Sequence, residues 1–205
     1  MRFFSRRSCL TALSLIVLPA RSWAAADPAV LAPVRALIDG LLTIMKQGKA
    51  ESFAHRVDTL APVIDQSFDL GAILRASAGS GFATLKPAEQ DALRVAFRDY
   101  TIASYVHSFD DFEDQRFEVR PDTRNVTNDE QVVQTRIIST AGESQGLDYV
   151  VRASGGTWRV VDVLADGSVS RVAVQRSDFR RLLSEGGATA LIDSLRAKTK
   201  ELATP

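Results

Sequence analysis

A change in the spacing of apolar residues near position 110 most constrains how this chain of 205 residues can fold. From Pro28 to about Phe109, apolar residues recur every three or four positions, which predicts amphipathic helices. Asp69 is expected to cap a short helix ending at Ala78, and Pro87 to open a longer helix. From Arg116 onward the period is two, which predicts antiparallel strands. The pattern therefore predicts an α+β fold: helices over 28–109, a meander sheet over 115–174 and closing helices over 177–202.

Turn residues divide the predicted elements. Pro62 is expected to break or start a helix, and Gly79-Ser80-Gly81 and Pro121–Asn128 are expected to be connections. Gly186-Gly187 is expected to stop the first closing helix. The expected strands are Val132–Ser139, Leu147–Arg152, Trp158–Leu164 and a short strand around Val169–Val174.

Alternation along the strands predicts which side chains face the core. Charged residues such as Asp148 and Arg159 are expected to face water or the sheet rim. The opposite face would carry Val133, Thr135, Ile137, Leu147, Tyr149, Val151, Trp158 and Val160. Asp162 is expected on this same face, where a carboxylate needs hydrogen-bond partners.

The amino terminus has the pattern of an export signal. Arg2, Arg6 and Arg7 precede the apolar run Cys9–Leu18, which is shorter than the ~20 residues of a transmembrane helix. We expect a signal peptide over residues 1–24, with cleavage as late as residue 26 left open. A partial twin-arginine pattern leaves both the Sec and the Tat route open. The remainder, 27–205, is expected to be one exported domain with no later membrane-spanning segment.

Composition excludes several classes of function. Lys plus Arg and Asp plus Glu number 25 each, so no basic surplus indicates a nucleic-acid partner. Two histidines and one cysteine predict neither a metal site nor a disulfide framework. The acidic cluster Asp110–Asp114 lacks the spacing of a calcium loop and is interpreted as a solvated helix end, with weak cation binding or partner contact as the alternative. No cofactor and a monomeric state are expected.

No established catalytic motif is present, and no catalytic residue is predicted. Asp162 has two interpretations. It is either a structural acid bonded to the Asp166-Gly167 turn, Ser168, Ser170 or Arg176, or a general base in a pocket with a raised pKa and a partner acid.

A series of segments in fixed order resembles the MlaC (toluene-tolerance) family of periplasmic phospholipid-binding proteins. The series comprises Phe68-Asp69 with Ile73-Leu74, V-x-T-x-I at 133–137, Tyr149, W-R-V-V-D-V at 158–163, D-G-S-V-S at 166–170 and Q-R-S-D-F at 175–179. Asp69–Ser77 and Arg171–Phe179 are most similar to the hopanoid-associated HpnM branch. The segment Ala76–Phe82 departs from the family pattern.

The resemblance implies an NTF2-like or cystatin-like sheet packed with helices around an apolar cavity. It implies a carrier that shuttles a diacyl phospholipid or a hopanoid lipid between an MlaFEDB-like ABC complex of the inner membrane and an outer-membrane acceptor complex, without a chemical step. The implied lining is Phe97, Tyr100, Tyr105, Val133, Ile137, Tyr149, Val151, Trp158 and Val160. Asp162, Arg176 and Phe179 would have structural roles.

Two other functions stay open at this point. One is an isomerase or hydrolase on an NTF2-like cone, with Asp162 and Tyr149 as acid-base candidates. The other is a non-lipid assembly partner with a filled core, and from the residues alone a packed core is the simpler interpretation of the lining residues. An apolar cavity of several hundred Å³ would favour the carrier.

Overall fold

The computed structural model describes residues 26–127 and 129–204, so the predicted signal peptide lies outside the described residues. The helical part contains α1 (Pro28–Gln47), α2 (Phe53–Ser67), α3 (Leu70–Ala78), α4 (Ser80–Ala83) and α5 (Pro87–Ser108). The sheet contains β1 (Arg116–Asn125), β2 (Glu130–Ile138), β3 (Ser144–Ser154), β4 (Thr157–Ala165) and β5 (Val169–Ser170), and α6 (Arg171–Leu202) follows. Each strand pairs antiparallel with the next in the order β1-β2-β3-β4-β5. The predicted α+β meander is confirmed.

Helix α1 supplies much of the core beneath the sheet. Asp27 caps it by accepting a hydrogen bond from the Ala29 amide at 2.9 Å, and Pro28 lies in the first turn, where its missing N–H is not needed. Its buried face carries Val30, Leu31, Val34, Leu37, Ile38, Leu41, Ile44 and Met45. By length and composition Pro28–Ala50 is able to cross a membrane, contrary to the sequence expectation. Half of this window is buried inside the fold, as in a core helix.

Two predicted interruptions lie within helical structure. Helix α2 runs through Pro62 to Ser67, because Leu60 and Ile64 on either side are fully buried and tertiary packing outweighs the lost backbone hydrogen bond. Gly79, at φ 64°, ends α3, but Ser80 begins the one-turn helix α4 instead of a loop. The predicted cap of α3 is confirmed, since the Asp69 carboxylate accepts the Ala72 amide at 2.8 Å.

Strand β1 is longer than expected and includes Pro121, which was assigned to a connection. Pairing with β2 shifts between Val119 and Thr123, and β1 is the edge of the sheet. An irregular edge strand tolerates proline because the missing N–H has no ladder partner to satisfy. The Pro121 carbonyl instead accepts the Ala26 amide at 2.9 Å, which ties the start of the described chain to the sheet.

A β-bulge in β4 changes the alternation of its side chains. Val151 pairs with Val160, whereas Val150 pairs with Asp162, so Val161 is an extra residue. Beyond the bulge, Val163 pairs with Tyr149 and joins the core. Strict alternation along β4 therefore fails beyond Val160, because it does not include the inserted residue.

Asp148 lies on the outer face of the sheet, as alternation predicts, but it is buried there instead of facing water. Its side chain is only 7% exposed, although it was expected to face water or the rim. One carboxylate oxygen accepts the Thr135 amide at 3.2 Å, and the other lies 3.3 Å from where a Cβ would stand on Gly167. A close backbone turn thus covers this carboxylate on the outer face of the sheet.

Helix α6 begins six residues earlier than predicted. The Ser170 hydroxyl accepts the Ala173 amide at 2.9 Å, and this cap starts the helix at Arg171. The expected strand through Val174 is therefore wrong, because the serine cap outweighs the strand-like alternation. The backbone leaves helical geometry at Gly186 and Gly187, where Gly187 has φ 66°. This break, which matches the predicted stop, divides α6 into a first segment, 171–185, and a second segment, 188–202.

Candidate functional site

A cleft lies between the second half of α5, the helix-covered face of the sheet and the start of α6. Its wider part, here called the outer chamber, has a volume of about 500 Å³. Its walls are Met45, Ser104, Tyr105, Ser108, Phe109, Asp110, Asp111, Glu113, Gln115, Ile137, Gln145, Leu147, Val163 and Arg171. Apolar side chains from the sheet and α5 thus face a mouth formed largely by charged residues.

A narrower space of about 50 Å³, here called the inner channel, adjoins the outer chamber. The two share four wall residues, Ser104, Tyr105, Val163 and Arg171. The other walls of the inner channel are Phe68, Leu70, Ile73, Phe97, Tyr100, Thr101, Asp162, Val172 and Gln175. The channel is largely apolar and leads under α3 and the first segment of α6.

A row of aromatic rings links the two spaces. Phe68 and Tyr105 lie 5.5 Å apart between centroids, and Tyr105 stacks on Phe109 at 6.0 Å with an interplanar angle of 9°. Phe117 of β1 continues the row 6.1 Å from Phe109. Such a row gives one wall of the cleft a rigid apolar surface with little side-chain entropy to lose on binding.

The mouth of the outer chamber carries charges of both signs. Asp110 and Asp111 lie in the loop after α5, and Arg171 lies at the first turn of α6. Lys49 forms an ion pair with Asp110 at 3.5 Å. The acidic cluster, which the sequence indicated to be a solvated helix end, therefore borders a cavity.

Burial raises the pKa of two phenols, Tyr105 in the wall of the cleft and Tyr149 in the core behind it. Tyr105 is 8% exposed and Tyr149 is 1% exposed. Desolvation raises the pKa of both hydroxyls far above the usual value, and the positive charge of Arg171 partly opposes the shift. Tyr105 also raises the pKa of Tyr149 through charge repulsion. Both phenols therefore stay neutral at physiological pH and can donate hydrogen bonds, but cannot act as phenolate bases.

The free energy of unfolding should fall as pH rises above about 10. The unfolded chain ionises its tyrosines near pH 10, whereas the folded chain keeps Tyr105 and Tyr149 protonated, so protons are lost mainly from the unfolded state. The expected slope is up to about 1.4 kcal/mol per pH unit per phenol. Urea unfolding at about pH 8 and about pH 11 measures it. The Tyr105→Phe and Tyr149→Phe double variant keeps every lysine and should show a flatter dependence; an identical slope would contradict the assignment.

Asp162 connects β4, β5 and α6. Its carboxylate accepts the Ser170 hydroxyl at 2.5 Å, the Val163 amide at 2.8 Å and the Val172 amide at 3.1 Å. Ser170 was one of the partners that the sequence suggested. Arg176 has a different contact, since its Nε donates to the carbonyl of Ala76 at 3.0 Å. This bond joins the end of α3 to α6.

Phe179 and Phe97 fix α6 against α5. Phe179 is buried, and its ring meets the Phe97 ring edge to face at a centroid distance of 6.0 Å. Gln175 accepts a hydrogen bond from the Ser77 hydroxyl at 3.2 Å on the same side of the helix. These contacts hold the first segment of α6 as a wall of the inner channel.

The nine predicted lining residues fall into two groups. Four of them, Phe97, Tyr100, Tyr105 and Ile137, border the outer chamber or the inner channel. The other five lie in or against the packed core behind these spaces: Val133, Tyr149, Val151, Trp158 and Val160. The predicted lining residues of α5 thus border the cleft, whereas most of those on the sheet lie in the core behind it.

Several residues of the cleft were not expected from the sequence. Val163 comes to the core face only through the bulge at Val161. Arg171 was assigned to a strand, and only the cap at Ser170 could have indicated its position at a helix start. Phe109 borders the outer chamber from the end of α5, where an aromatic residue beside an acidic run gave no distinct signal.

The fold and the cleft define an α+β protein in which helices cover one face of an antiparallel meander sheet and leave an internal cavity open at one end. The chain belongs to the MlaC protein family, whose sequence model matches residues 35–197. Proteins of this family are periplasmic lipid-binding carriers. No curated protein matches the chain.

A solved structure has the same fold. It is the phospholipid-binding protein from Ralstonia solanacearum, determined in complex with a phospholipid. The TM-score is 0.70 at 22% sequence identity, and the similarity covers 87% of this chain and all of the other. At this level of identity the match establishes the common fold.

Proposed function

We propose that the protein is a periplasmic carrier that binds a phospholipid or a hopanoid-type lipid and shuttles it between complexes of the inner and outer membranes, without a chemical step. The observation that carries this proposal is the outer chamber, about 500 Å³, which adjoins the apolar inner channel across four common wall residues. A volume of this size is typical of a small-molecule site. It opposes the alternative of an assembly partner with a filled core.

The arrangement suits an amphipathic ligand. Burying each methylene of an acyl chain or polycyclic ring lowers the free energy of binding by about 0.8 kcal/mol. The apolar end would therefore lie in the inner channel and the deeper part of the outer chamber. The head group would stay at the mouth, where Arg171 can pair with a phosphate. The protein with the same fold was determined in complex with a phospholipid, which supports a phospholipid as the ligand.

We propose different roles for the two groups of predicted lining residues. Phe97, Tyr100, Tyr105 and Ile137 would contact the ligand directly. The five core residues would support the floor of the cleft: Val133, Tyr149, Val151, Trp158 and Val160. Asp162, Arg176 and Phe179 would position α6.

The enzyme alternative receives less support from the geometry. Three protein donors occupy the carboxylate of Asp162, which is the pattern of a structural acid. Tyr149, the other candidate, is 1% exposed. A general base needs an accessible lone pair within hydrogen-bond reach of a substrate.

Export and partners complete the proposal. A signal peptide over residues 1–24 would direct the chain to the periplasm by the Sec or the Tat route. We propose that the protein belongs to the HpnM branch and acts as a monomer. Its partners would be an MlaFEDB-like ABC complex of the inner membrane and an outer-membrane acceptor complex.

Lipid analysis of the mature protein tests the proposal. The protein is purified from its native periplasm without detergent, extracted with organic solvent and analysed by mass spectrometry. About one lipid per chain is expected, and its class distinguishes a glycerophospholipid from a hopanoid. A second assay measures transfer of labelled phospholipid between vesicles. A chain that carries no lipid and accelerates no transfer would contradict a carrier function.

Arg171→Gln should weaken the binding of a phosphate-bearing lipid by about tenfold or more, because a charge-assisted hydrogen bond contributes about 1.5–3 kcal/mol. Fluorescence titration with a short-chain phospholipid measures the dissociation constant. Arg180→Gln, a matched change at an exposed position of α6 outside the walls of the cleft, should leave it unchanged. Equal affinities of both variants would show that Arg171 does not contact the head group.

A further inference from the structure

A second cavity of about 480 Å³ lies at the opposite side of the end of α5. It is bordered by the start of α2, the loop after α5 and the end of α6. Its walls are Lys49, Glu51, Ser52, Phe53, Arg56, His107, Asp110, Leu202, Ala203 and Thr204. Only Asp110 is shared with the outer chamber. The second cavity is therefore separate from the cleft of the proposed lipid site.

Arg56 is a buried cation in the wall of this cavity. It is 6% exposed, and its Nη1 donates to the backbone carbonyl of Asp110 at 3.5 Å. Its Nε has no hydrogen-bond partner among the residues that the structure describes. The ring of Phe53 lies 5.9 Å from the guanidinium carbon. A long bond to one carbonyl and one aromatic contact compensate poorly for burying a charge that usually needs an anionic partner.

The same cavity borders the positive end of a helix. Helix α2 has fifteen residues, and its first turn carries no acidic side chain to offset the helix dipole. The Ser52 hydroxyl caps the His55 amide at 3.2 Å, which leaves the earlier amides of the first turn without intrahelical partners. Of the two carboxylates at the cavity, Asp110 pairs with Lys49, and Glu51 is exposed. The unpaired positive groups therefore favour an anion.

The remaining walls are largely apolar. Phe53, Leu202 and Ala203 contribute side chains without hydrogen-bonding groups. An inorganic ion would leave these surfaces in contact with water, whereas a ligand with a short apolar group would cover them.

We propose that the second cavity binds a small organic anion, a carboxylate or phosphate ester with a short apolar group, whose charged end pairs with Arg56 and whose apolar end lies between Phe53 and Leu202. This site is additional to the proposed lipid site and does not depend on it. A ligand of this class would connect the ends of three helices, so its binding should also stabilise the fold.

Site-resolved titration of the isotope-labelled mature protein tests the proposal. Hexanoate and inorganic phosphate are added separately, up to about 10 mM, and backbone amide shifts are followed by NMR. Hexanoate should shift the amides of Phe53–Val57 and Leu202–Thr204 with saturation. Phosphate should shift the same amides more weakly, because it lacks the apolar group. Shifts confined to the residues around Tyr105 and Val163 would report the lipid cleft instead and would overturn the proposal.

Variants identify the group that binds the anion. Arg56→Gln should weaken hexanoate binding by about tenfold or more, as expected for the loss of a buried charge pair. Arg180 is an exposed arginine elsewhere on α6, and the Arg180→Gln variant should bind hexanoate with the same affinity as the unchanged protein. Thr204→Trp, at an exposed position of the wall, should weaken binding by filling the cavity while Arg56 stays in place. Unchanged hexanoate binding in both Arg56→Gln and Thr204→Trp would overturn the proposal. If Arg56→Gln does not fold, Thr204→Trp alone tests it.

The chain's own carboxyl terminus is the alternative occupant. A variant ending at Leu202 removes the last residues without changing Arg56. If hexanoate binds this shortened chain but not the full mature chain, the terminus occupies the cavity and the proposal is overturned. Binding to the full chain supports a site for an external anion.

Discussion

Replacing Ser104 by tryptophan should remove most of the bound lipid and leave the protein folded. Ser104 borders both the outer chamber and the inner channel, and its hydroxyl only donates to the Tyr100 carbonyl of its own helix at 2.7 Å. An indole at this position would project into the boundary between the two spaces and compete with an apolar chain for the same volume. Because the ring enters an existing cavity, the loss of stability should stay below the ~1–3 kcal/mol typical of overpacking.

The measurement combines lipid content with thermal stability. Mass spectrometry of the purified Ser104→Trp protein should show at least about tenfold less lipid per chain than the unchanged protein. Ser184→Trp, the same change on the exposed surface of α6, should keep the lipid. Val151→Trp, in the fully buried core, should instead destabilise the protein by ~1–3 kcal/mol and leave lipid in the folded fraction. A Ser104→Trp protein with its full lipid content would show that the lipid lies elsewhere.

Asp162→Asn should lower the free energy of unfolding by ~1–3 kcal/mol, the usual loss for a partly buried, charged hydrogen-bond acceptor. The carboxylate accepts from Ser170, Val163 and Val172 at once, and an amide in its place has only one accepting oxygen. It also removes a negative charge from the start of α6, where the helix dipole favours one. Since Arg171 and Val172 border the cleft, lipid affinity should fall together with stability.

Chemical denaturation and lipid binding of the same variant, measured together, distinguish a structural role of Asp162 from a catalytic one. Asp166→Asn is the matched control, because Asp166 is exposed and its φ of 49° is one that asparagine adopts readily. The control should keep both stability and affinity. An Asp162→Asn protein as stable as the control would contradict the structural assignment.

The sequence predicted the fold best where one periodic signal covered a long segment. The stripe of α1 and the aromatic positions of α5 follow the helical period over twenty residues or more, and both helices have the expected starts and ends. Predictions failed where a tertiary or single-residue effect outweighed the period. Pro62 lies inside a helix, Pro121 lies on an edge strand and the serine at 170 starts a helix within a strand-like pattern.

Alternation of apolar and polar residues along the strands predicts only part of the cleft. Alternation assigns Val133 and Val151 to the core face, but it does not show whether a helix or an open space covers them. In the structure α1 and its neighbours fill the region above these residues, and the open space lies nearer to Ile137 and Val163. The bulge at Val161 also shifts the alternation of side chains along β4 by one residue. A single unaligned sequence carries no signal for such a bulge.

The glycine pair in α6 has a consequence for how this protein can diversify. A Cβ on Gly186 would lie 2.7 Å from the Ala190 methyl group, and Gly187 has a left-handed φ of 66°, so neither position accepts another residue without strain. The pair uncouples two stretches of one helix. Residues 188–202 are anchored through Leu191 and Leu195, whereas Arg171, Val172 and Gln175 of the first segment border the cleft. Substitutions at these three positions can therefore change the wall of the cleft without changing the second segment of α6.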